Sequence, residues 1–117
     1  LHVVIPLAGG YNFLQTREFV HQVGRYLARE SEIIVSEFPR SRDPGTLFID
    51  FLQNSQGRTM VAPYSLRALP GATVSTPLRW EELRKGLRPD DFTIFNVPRR
   101  VDAWEGILVK KQKLELD

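Results

Sequence analysis

The sequence predicts an α+β fold in which an antiparallel or mixed β-sheet is flanked by a few helices. Two observations support this class: one long amphipathic helical pattern lies early in the chain, and several short strand-like runs follow it. Strands and helices do not alternate in the regular way that a parallel, doubly wound sheet requires. A length of 117 residues allows one domain at most.

The composition is that of an ordinary globular protein, and it removes several classes of site. Hydrophobic residues make up 42% of the chain and charged residues 26%, which excludes a disordered or fibrous class. The chain has no cysteine and two histidines, so neither a disulfide scaffold nor a zinc site is expected. No apolar run is long enough to span a bilayer. The isoelectric point near 9.2 and the predominance of arginine give a weak indication of a phosphate-bearing partner.

The clearest helical pattern runs from about residue 16 to residue 30. Thr16 is a residue type that caps helices, and apolar side chains recur at helical spacing on one face, namely Phe19, Val20, Val23 and Leu27. His21 falls on the opposite face together with two arginines, so it is predicted to be a surface histidine. A short strand at residues 2–7, closed by a glycine pair, is predicted before this helix.

Several strands are predicted after the helix. Residues 32–38 and 46–52 are apolar enough for strands, and the second is the clearest in the chain. An Asn-Ser-Gln-Gly turn then leads into residues 59–62, so these two segments are predicted to pair as an antiparallel hairpin. Farther along, beyond several prolines, the pattern predicts a short helix at residues 80–85 and a strand at residues 92–95.

Asp50 is the first candidate for a chemical role. Alternation along residues 46–52 places apolar side chains on both faces of the strand, so Asp50 is expected among hydrophobic neighbours. A carboxylate in such surroundings costs several kcal/mol unless it is paired, hydrogen-bonded or bound to a metal. Two interpretations follow: a metal-binding or catalytic role, and a structural ion pair with an arginine such as Arg58. One carboxylate does not by itself build the two-ion site that phosphoryl transfer uses.

Four segments, in order along the chain, carry a resemblance to a known family. They are Leu1–Leu7, Thr46–Asn54, Val61–Arg67 and Val74–Glu82. Together they resemble the polymerase domain of bacterial ATP-dependent DNA ligase D, a branch of the archaeo-eukaryotic primase superfamily. The resemblance implies an α+β, primase-type core. Residues 1–117 would then form a single partial domain, the later portion of that core.

The resemblance implies roles for four side chains. Asp50 matches the third metal-binding aspartate of the family's active site. His2 matches the histidine of the nucleotide-binding motif, and Gln53 and Arg67 match polar residues that hold the incoming triphosphate. Structural alternatives remain open for the last three: a frayed terminal residue, a hydrogen-bonding residue at the hairpin end and a solvated loop cation, respectively. Gln53 also has the opposite strand parity from Asp50, so a shared site requires the strand to bulge or to end near Leu52.

Arg42 is the nearest match to a basic residue that the family carries in the loop before the third aspartate. The loop is shortened or shifted here, and Asp43 occupies the expected register. Arg42 is therefore assigned to nucleotide binding only as the nearest candidate.

By the same resemblance, the parent enzyme is a nucleotidyltransferase of non-homologous end joining that adds NTP or dNTP to a primer at a DNA end. Two divalent cations, Mg²⁺ or Mn²⁺, are implied for the complete site. The implied partners are DNA ends, ligase and nuclease domains or subunits, and a Ku-type end-binding protein. The implied location is the bacterial cytoplasm near the nucleoid, with no membrane role.

The family's paired aspartates, spaced Asp-x-Asp, are expected upstream of Leu1. The chain is therefore predicted to be inactive alone. The alternative is a non-catalytic nucleic-acid-binding or split-subunit assembly module that keeps the fold. A stand-alone repair primase is a third interpretation.

Overall fold

The computed structural model describes residues 1–39 and 43–115 and confirms the α+β class. One helix, α1, is followed by two short strands, β1 and β2, that form a two-stranded parallel sheet. Four 3₁₀ turns complete the regular structure of the described part. The bounds are Phe13–Glu30 for α1, Ile34–Val35 for β1 and Leu47–Phe48 for β2, with 3₁₀ turns at Phe51–Asn54, Trp80–Glu82, Pro89–Asp91 and Val97–Arg99.

The chain divides into two compact units. The first contains Leu1–Thr59 together with the described residues that begin at Lys111, and the second is Met60–Lys110. Within the described ranges, no helix combines the length and the apolar character that crossing a membrane would require.

Helix α1 begins three residues before the predicted start because Asn12, not Thr16, caps it. The Asn12 side-chain oxygen accepts a hydrogen bond from the Gln15 backbone N–H at 2.9 Å, and Gln15 Oε1 accepts from the Asn12 N–H at 3.0 Å. This reciprocal pair is a capping box, which satisfies two backbone donors at once. Thr16 lies in the first turn, where its hydroxyl donates to the Phe13 carbonyl at 3.1 Å.

The face that α1 buries is centred on a glycine. Gly24 is the buried residue of the helix, and the Cβ of Ile49 lies 3.3 Å from the position that a Cβ would take on Gly24. The predicted apolar stripe is only partly covered: Val23 is 36% exposed, and Tyr26 beside it is 63% exposed. Compared with the predicted apolar face, the buried face of α1 is therefore shifted toward Gly24. The absence of a side chain at Gly24 lets the chain at Ile49 approach closely.

The predicted hairpin between residues 46–52 and 59–62 is wrong. β2 pairs instead with β1, in parallel, with Ile34 opposite Leu47 and Val35 opposite Phe48. The strand ends at Phe48, and the Phe51–Asn54 turn follows, closed by a hydrogen bond from the Ser55 N–H to the Leu52 carbonyl at 3.2 Å. The chain thus changes direction at Asp50, earlier than the apolar pattern indicates.

Other predicted elements are reduced to bridges or turns. The predicted strand at residues 2–7 is an isolated parallel bridge between Leu7 and Gln112. The predicted helix at 80–85 is the 3₁₀ turn Trp80–Glu82. The predicted strand at 92–95 contributes one antiparallel bridge, between Thr93 and Thr73.

The centre of the second unit is small. Thr73 and Val74 are 3% and 8% exposed, and the Val74 N–H donates to the Phe92 carbonyl at 3.0 Å. The accessible surface of the chain is 9766 Å², whereas a compact monomer of this mass has about 6,500 Å², and two separate compact units would have about 7,900 Å². Large side chains such as Trp80 and Phe95 remain exposed. The protein is loosely packed.

Candidate functional site

Asp50 is the central residue of a tight turn that follows β2. Its backbone angles are φ −76° and ψ 84°, and the Phe51 N–H donates to the Ile49 carbonyl across it at 2.9 Å. These features define an inverse γ-turn, a common way to end a strand. Asp50 therefore leaves the sheet and is exposed, which corrects the prediction that it lies among hydrophobic neighbours in a central strand.

The Asp50 carboxylate has no partner among the described residues. It makes no capping hydrogen bond to the 3₁₀ turn that follows it, and it is in none of the ion pairs of that part of the chain. The structural alternative, an ion pair with Arg58, is not formed. Among the residues that the structure describes, no cationic side chain therefore occupies the carboxylate oxygens.

A stacked histidine supports the turn beside Asp50. The rings of His21 and Phe51 lie 4.1 Å apart at an interplanar angle of 20°, and His21 Nε2 donates to Glu37 Oε1 at 3.0 Å. Phe48 packs edge-on against Phe51, with ring centroids 6.1 Å apart, and Phe38 packs in the same way against Phe48. The side chain of His21 is 21% exposed, so the prediction of a simple surface histidine is wrong.

Gln53 lies in the Phe51–Asn54 3₁₀ turn that directly follows Asp50. Its side-chain Nε2 donates to the Thr59 carbonyl at 2.8 Å, a bond that fixes the chain as it leaves the turn. Because the strand ends at Phe48, the difference in strand parity between Asp50 and Gln53 no longer separates them. The structure therefore brings these two predicted site residues onto one short segment.

The remaining predicted site residues do not belong to that segment. His2 lies in an exposed stretch at the start of the chain, before the bridge at Leu7. Arg67 belongs to the second unit, where its backbone N–H donates to the Thr73 carbonyl at 2.9 Å and its side chain is exposed. Arg42 lies outside the described residues.

The second unit contains a polar pair at the edge of a shallow pocket. The Tyr64 hydroxyl donates to Asp102 Oδ1, which also accepts from the Trp104 N–H at 2.9 Å. Burial, reinforced by the Asp102 carboxylate, raises the pKa of Tyr64, and the hydrogen bond from Tyr64 lowers the pKa of Asp102. The pocket, of about 410 Å³, is lined by Tyr64, Leu66, Val74, Ile94, Val97, Pro98, Arg100 and Asp102.

An ion pair between Arg100 and Glu82 joins two 3₁₀ turns of the second unit. Arg100 Nη2 donates to Glu82 Oε1, and the guanidinium carbon lies 5.0 Å from the centre of the Phe92 ring, a cation–π arrangement. Glu82 Oε2 accepts from the Arg79 N–H at 2.7 Å. This backbone hydrogen bond is the main cause that lowers the pKa of Glu82, with Arg100 adding to it.

The pKa of Glu82 predicts an acid-sensitive contribution to stability. Because folding lowers that pKa below its ordinary value of 4.5, the contribution is complete above pH 4.5 and is lost as the pH falls through the folded-state pKa. We expect the urea midpoint of Glu82→Gln to be lower than that of the unsubstituted chain at neutral pH and to change less between about pH 7 and about pH 3. Glu81→Gln, at the exposed neighbouring position, is the control. Equal pH slopes for the unsubstituted chain and Glu82→Gln would contradict the assignment.

A divalent-cation site is not complete in the described part of the chain. No group of three or more histidine, cysteine, aspartate or glutamate side chains there lies close enough together to hold a metal ion. Asp50 offers one carboxylate, which is the oxygen donor that Mg²⁺ and Mn²⁺ prefer. It fits as a single ligand, and a two-ion site needs further carboxylates.

Comparisons with known proteins show that the chain is similar to part of the LigD end-joining proteins of bacteria. The chain is 32% identical over 108 residues to the multifunctional non-homologous end joining protein LigD of Pseudomonas aeruginosa, covering 91% of this chain and 13% of that protein. It is 31% identical over 103 residues to the bifunctional LigD of Bacillus subtilis, covering 86% of this chain and 17% of that protein. It is 41% identical over 84 residues to the LigD DNA repair protein of Mycobacterium tuberculosis, covering 71% of this chain and 11% of that protein.

A model of the family's sequences also matches this chain. The profile described as LigD, primase-polymerase domain matches residues 1–108. The chain therefore belongs to the LigD primase-polymerase domain family, which confirms the resemblance noted in its motifs. It spans less than a fifth of the length of the curated relatives named above.

Proposed function

We propose that this chain forms part of the active site of a primase-type nucleotidyltransferase that adds NTP or dNTP to primers at broken DNA ends. The observation that carries the proposal is the Asp50 turn. The chain matches the primase-polymerase family over residues 1–108. The residue that the motif resemblance assigns to the metal site is an exposed carboxylate without a competing partner in the described structure.

The proposed roles follow from the position and chemistry of each residue. Asp50 supplies one carboxylate oxygen ligand to the divalent cations of the complete domain, and Gln53, in the 3₁₀ turn that follows, contacts the triphosphate. His2, Arg67 and Arg42 carry nucleotide-binding roles, as donors that match phosphate oxygens. Mg²⁺ or Mn²⁺, when bound, supplies positive charge beside the phosphates.

The wider context is also part of the proposal. The relatives are named as end-joining LigD proteins, and we infer that the parent of this chain acts with ligase and nuclease activities and a Ku-type end-binding protein at DNA ends in the bacterial cytoplasm. We further infer that the paired aspartates of the metal site lie in a segment outside this chain. On that basis the isolated chain does not incorporate nucleotides.

A segment-exchange experiment tests the proposed function. Residues 1–108 of this chain replace the matching segment of the Pseudomonas aeruginosa relative, and the chimera is compared with the isolated chain in primer extension at a DNA end with MnCl₂ and NTP. We expect metal-dependent extension by the chimera and none by the isolated chain. The unaltered relative is the control for the assay, and circular dichroism checks that the chimera is folded.

Two outcomes would contradict the proposal. Robust extension by the isolated chain would show that it carries a complete site. A folded chimera that does not extend primers would show that this chain does not supply its share of the site.

The second candidate function is a non-catalytic nucleic-acid-binding or split-subunit assembly module that keeps the fold. The large accessible surface of 9766 Å² and its exposed apolar side chains favour this reading, because exposed apolar patches commonly mark interaction sites. A folded chimera that binds DNA ends without extending primers would support it.

A further inference from the structure

Helix α1 holds both neighbours of Asp50. On one side, Ile49 packs against Gly24, with its Cβ 3.3 Å from the place of the missing glycine side chain. On the other side, Phe51 stacks on His21 at 4.1 Å. His21 and Gly24 are three residues apart and so lie on the same face of the helix. The exposed Asp50 thus lies between two residues that each pack against α1.

The His21 ring is itself fixed at its edge. Its Nε2 donates to Glu37 Oε1 at 3.0 Å, and Glu37 lies two residues beyond the end of β1. The bond restrains rotation of the imidazole about its side-chain torsions. The His21 ring is therefore a restrained stacking partner for Phe51.

The backbone position from which Asp50 presents its carboxylate depends on this support. Asp50 makes no capping hydrogen bond, and its backbone position is set by the bond from the Phe51 N–H to the Ile49 carbonyl at 2.9 Å. Both partners of that bond belong to the residues that α1 anchors. A displacement of about 1 Å at a reacting group can cost a hundredfold in rate, so the support matters for chemistry and not only for folding.

We propose that His21 is a positioning residue: by stacking on Phe51 while Glu37 holds its ring, it fixes the γ-turn that presents Asp50 to a divalent cation. The metal-binding part of this inference rests on the proposed function. His21 does not touch the cation, and it acts through Phe51. The alternative is that the stack of His21 on Phe51 contributes only to the general stability of the fold. This alternative predicts a different result for the same variants.

The test uses the complete 117-residue chain, labelled with ¹⁵N, with MnCl₂ as the probe. Two quantities are measured by NMR: hydrogen exchange of the Phe51 amide, and paramagnetic broadening of the Asp50 and Phe51 amide signals. The variants are His21→Ala, which removes the stack, and His21→Phe, which restores an aromatic ring without the bond to Glu37. Gln22→Ala, at the exposed neighbouring position on α1, is the matched control, and Asp50→Asn tests whether the broadening requires the carboxylate.

We expect His21→Ala to increase exchange of the Phe51 amide about two- to twelvefold, the range that loss of one aromatic pair implies. Broadening at Asp50 should fall as well. His21→Phe should recover part of both effects, because it restores the ring and not the bond to Glu37, and Gln22→Ala should change neither. Unchanged exchange and broadening in His21→Ala would overturn the inference, as would equal changes in His21→Ala and Gln22→Ala, because these indicate general loosening.

The two proposals can fail separately. If broadening is the same in the unsubstituted chain and in Asp50→Asn, the metal-binding role of Asp50 fails, and with it the presentation of Asp50 to a cation. The exchange measurement then still decides whether His21 orders the turn. If broadening depends on Asp50 and His21→Ala leaves exchange unchanged, the positioning role fails while the proposed function stands.

Discussion

Replacing Gly24 by leucine is expected to lower the free energy of unfolding by about 1–3 kcal/mol, the usual cost of forcing extra atoms into a packed contact. A Cβ at Gly24 would lie 3.3 Å from the Cβ of Ile49, and leucine adds three further carbons beyond this close contact. The change is a large share of the marginal stability of a small protein. Urea denaturation followed by circular dichroism measures it.

Two further substitutions separate packing from helix propensity. Gln22→Leu adds the same side chain at an exposed position of α1 and should change the free energy of unfolding by less than about 0.5 kcal/mol. Gly24→Ala gains up to about 1 kcal/mol in helix propensity and introduces one close contact, so it should be much milder than leucine. A leucine variant as stable as the unsubstituted chain would show that α1 does not approach Ile49 closely.

The sequence was sufficient to predict α1 and the α+β class, because an 18-residue helix repeats its pattern many times. It was insufficient for the exact start. Asn12 and Thr16 are both good capping residues, and the reciprocal bonds between Asn12 and Gln15 decide in favour of Asn12. The shift of the buried face toward Gly24 was also missed, since the buried position is a glycine and carries no hydrophobic signal.

The prediction for Asp50 was wrong about its surroundings, and its metal-binding role stays a prediction. The alternation argument assumed that residues 46–52 form one continuous strand. The structure ends the strand at Phe48 and turns the chain at Asp50. A γ-turn is closed by a backbone bond between near neighbours, and such a bond leaves little trace in side-chain type. The burial of Asp50 and the hairpin with residues 59–62 were therefore both predicted from a continuous strand that the chain does not form.

His21 shows what periodicity alone omits. Its position opposite the apolar stripe indicated solvent, yet it stacks on Phe51 and donates to Glu37. Those partners are 30 and 16 residues away along the chain, and a pattern within one helix does not contain them. His2 and Arg67 both lie outside the Asp50 turn. Their proposed nucleotide-binding roles therefore rest on family resemblance alone.

Replacing Asp50 by asparagine in the chimera with the Pseudomonas aeruginosa relative is expected to reduce nucleotide incorporation at least about a hundredfold. Loss of residues that merely support a metal ligand commonly costs 10- to 100-fold, so loss of a ligand's charge should cost no less. Asparagine keeps the size of the side chain and removes the negative charge. Primer extension at saturating NTP, over a range of MnCl₂ concentrations, measures the effect.

The same substitution should leave the fold nearly unchanged, which makes the result easy to interpret. The Asp50 carboxylate is exposed and makes no capping bond or ion pair in the described part of the chain, so its loss should alter the free energy of unfolding by less than about 0.5 kcal/mol. Glu32→Gln, another exposed acidic position in the first unit, is the matched control and should retain full incorporation. If Asp50→Asn still incorporates nucleotides at the unsubstituted rate, Asp50 is not a metal ligand, because catalysis then does not need its charge.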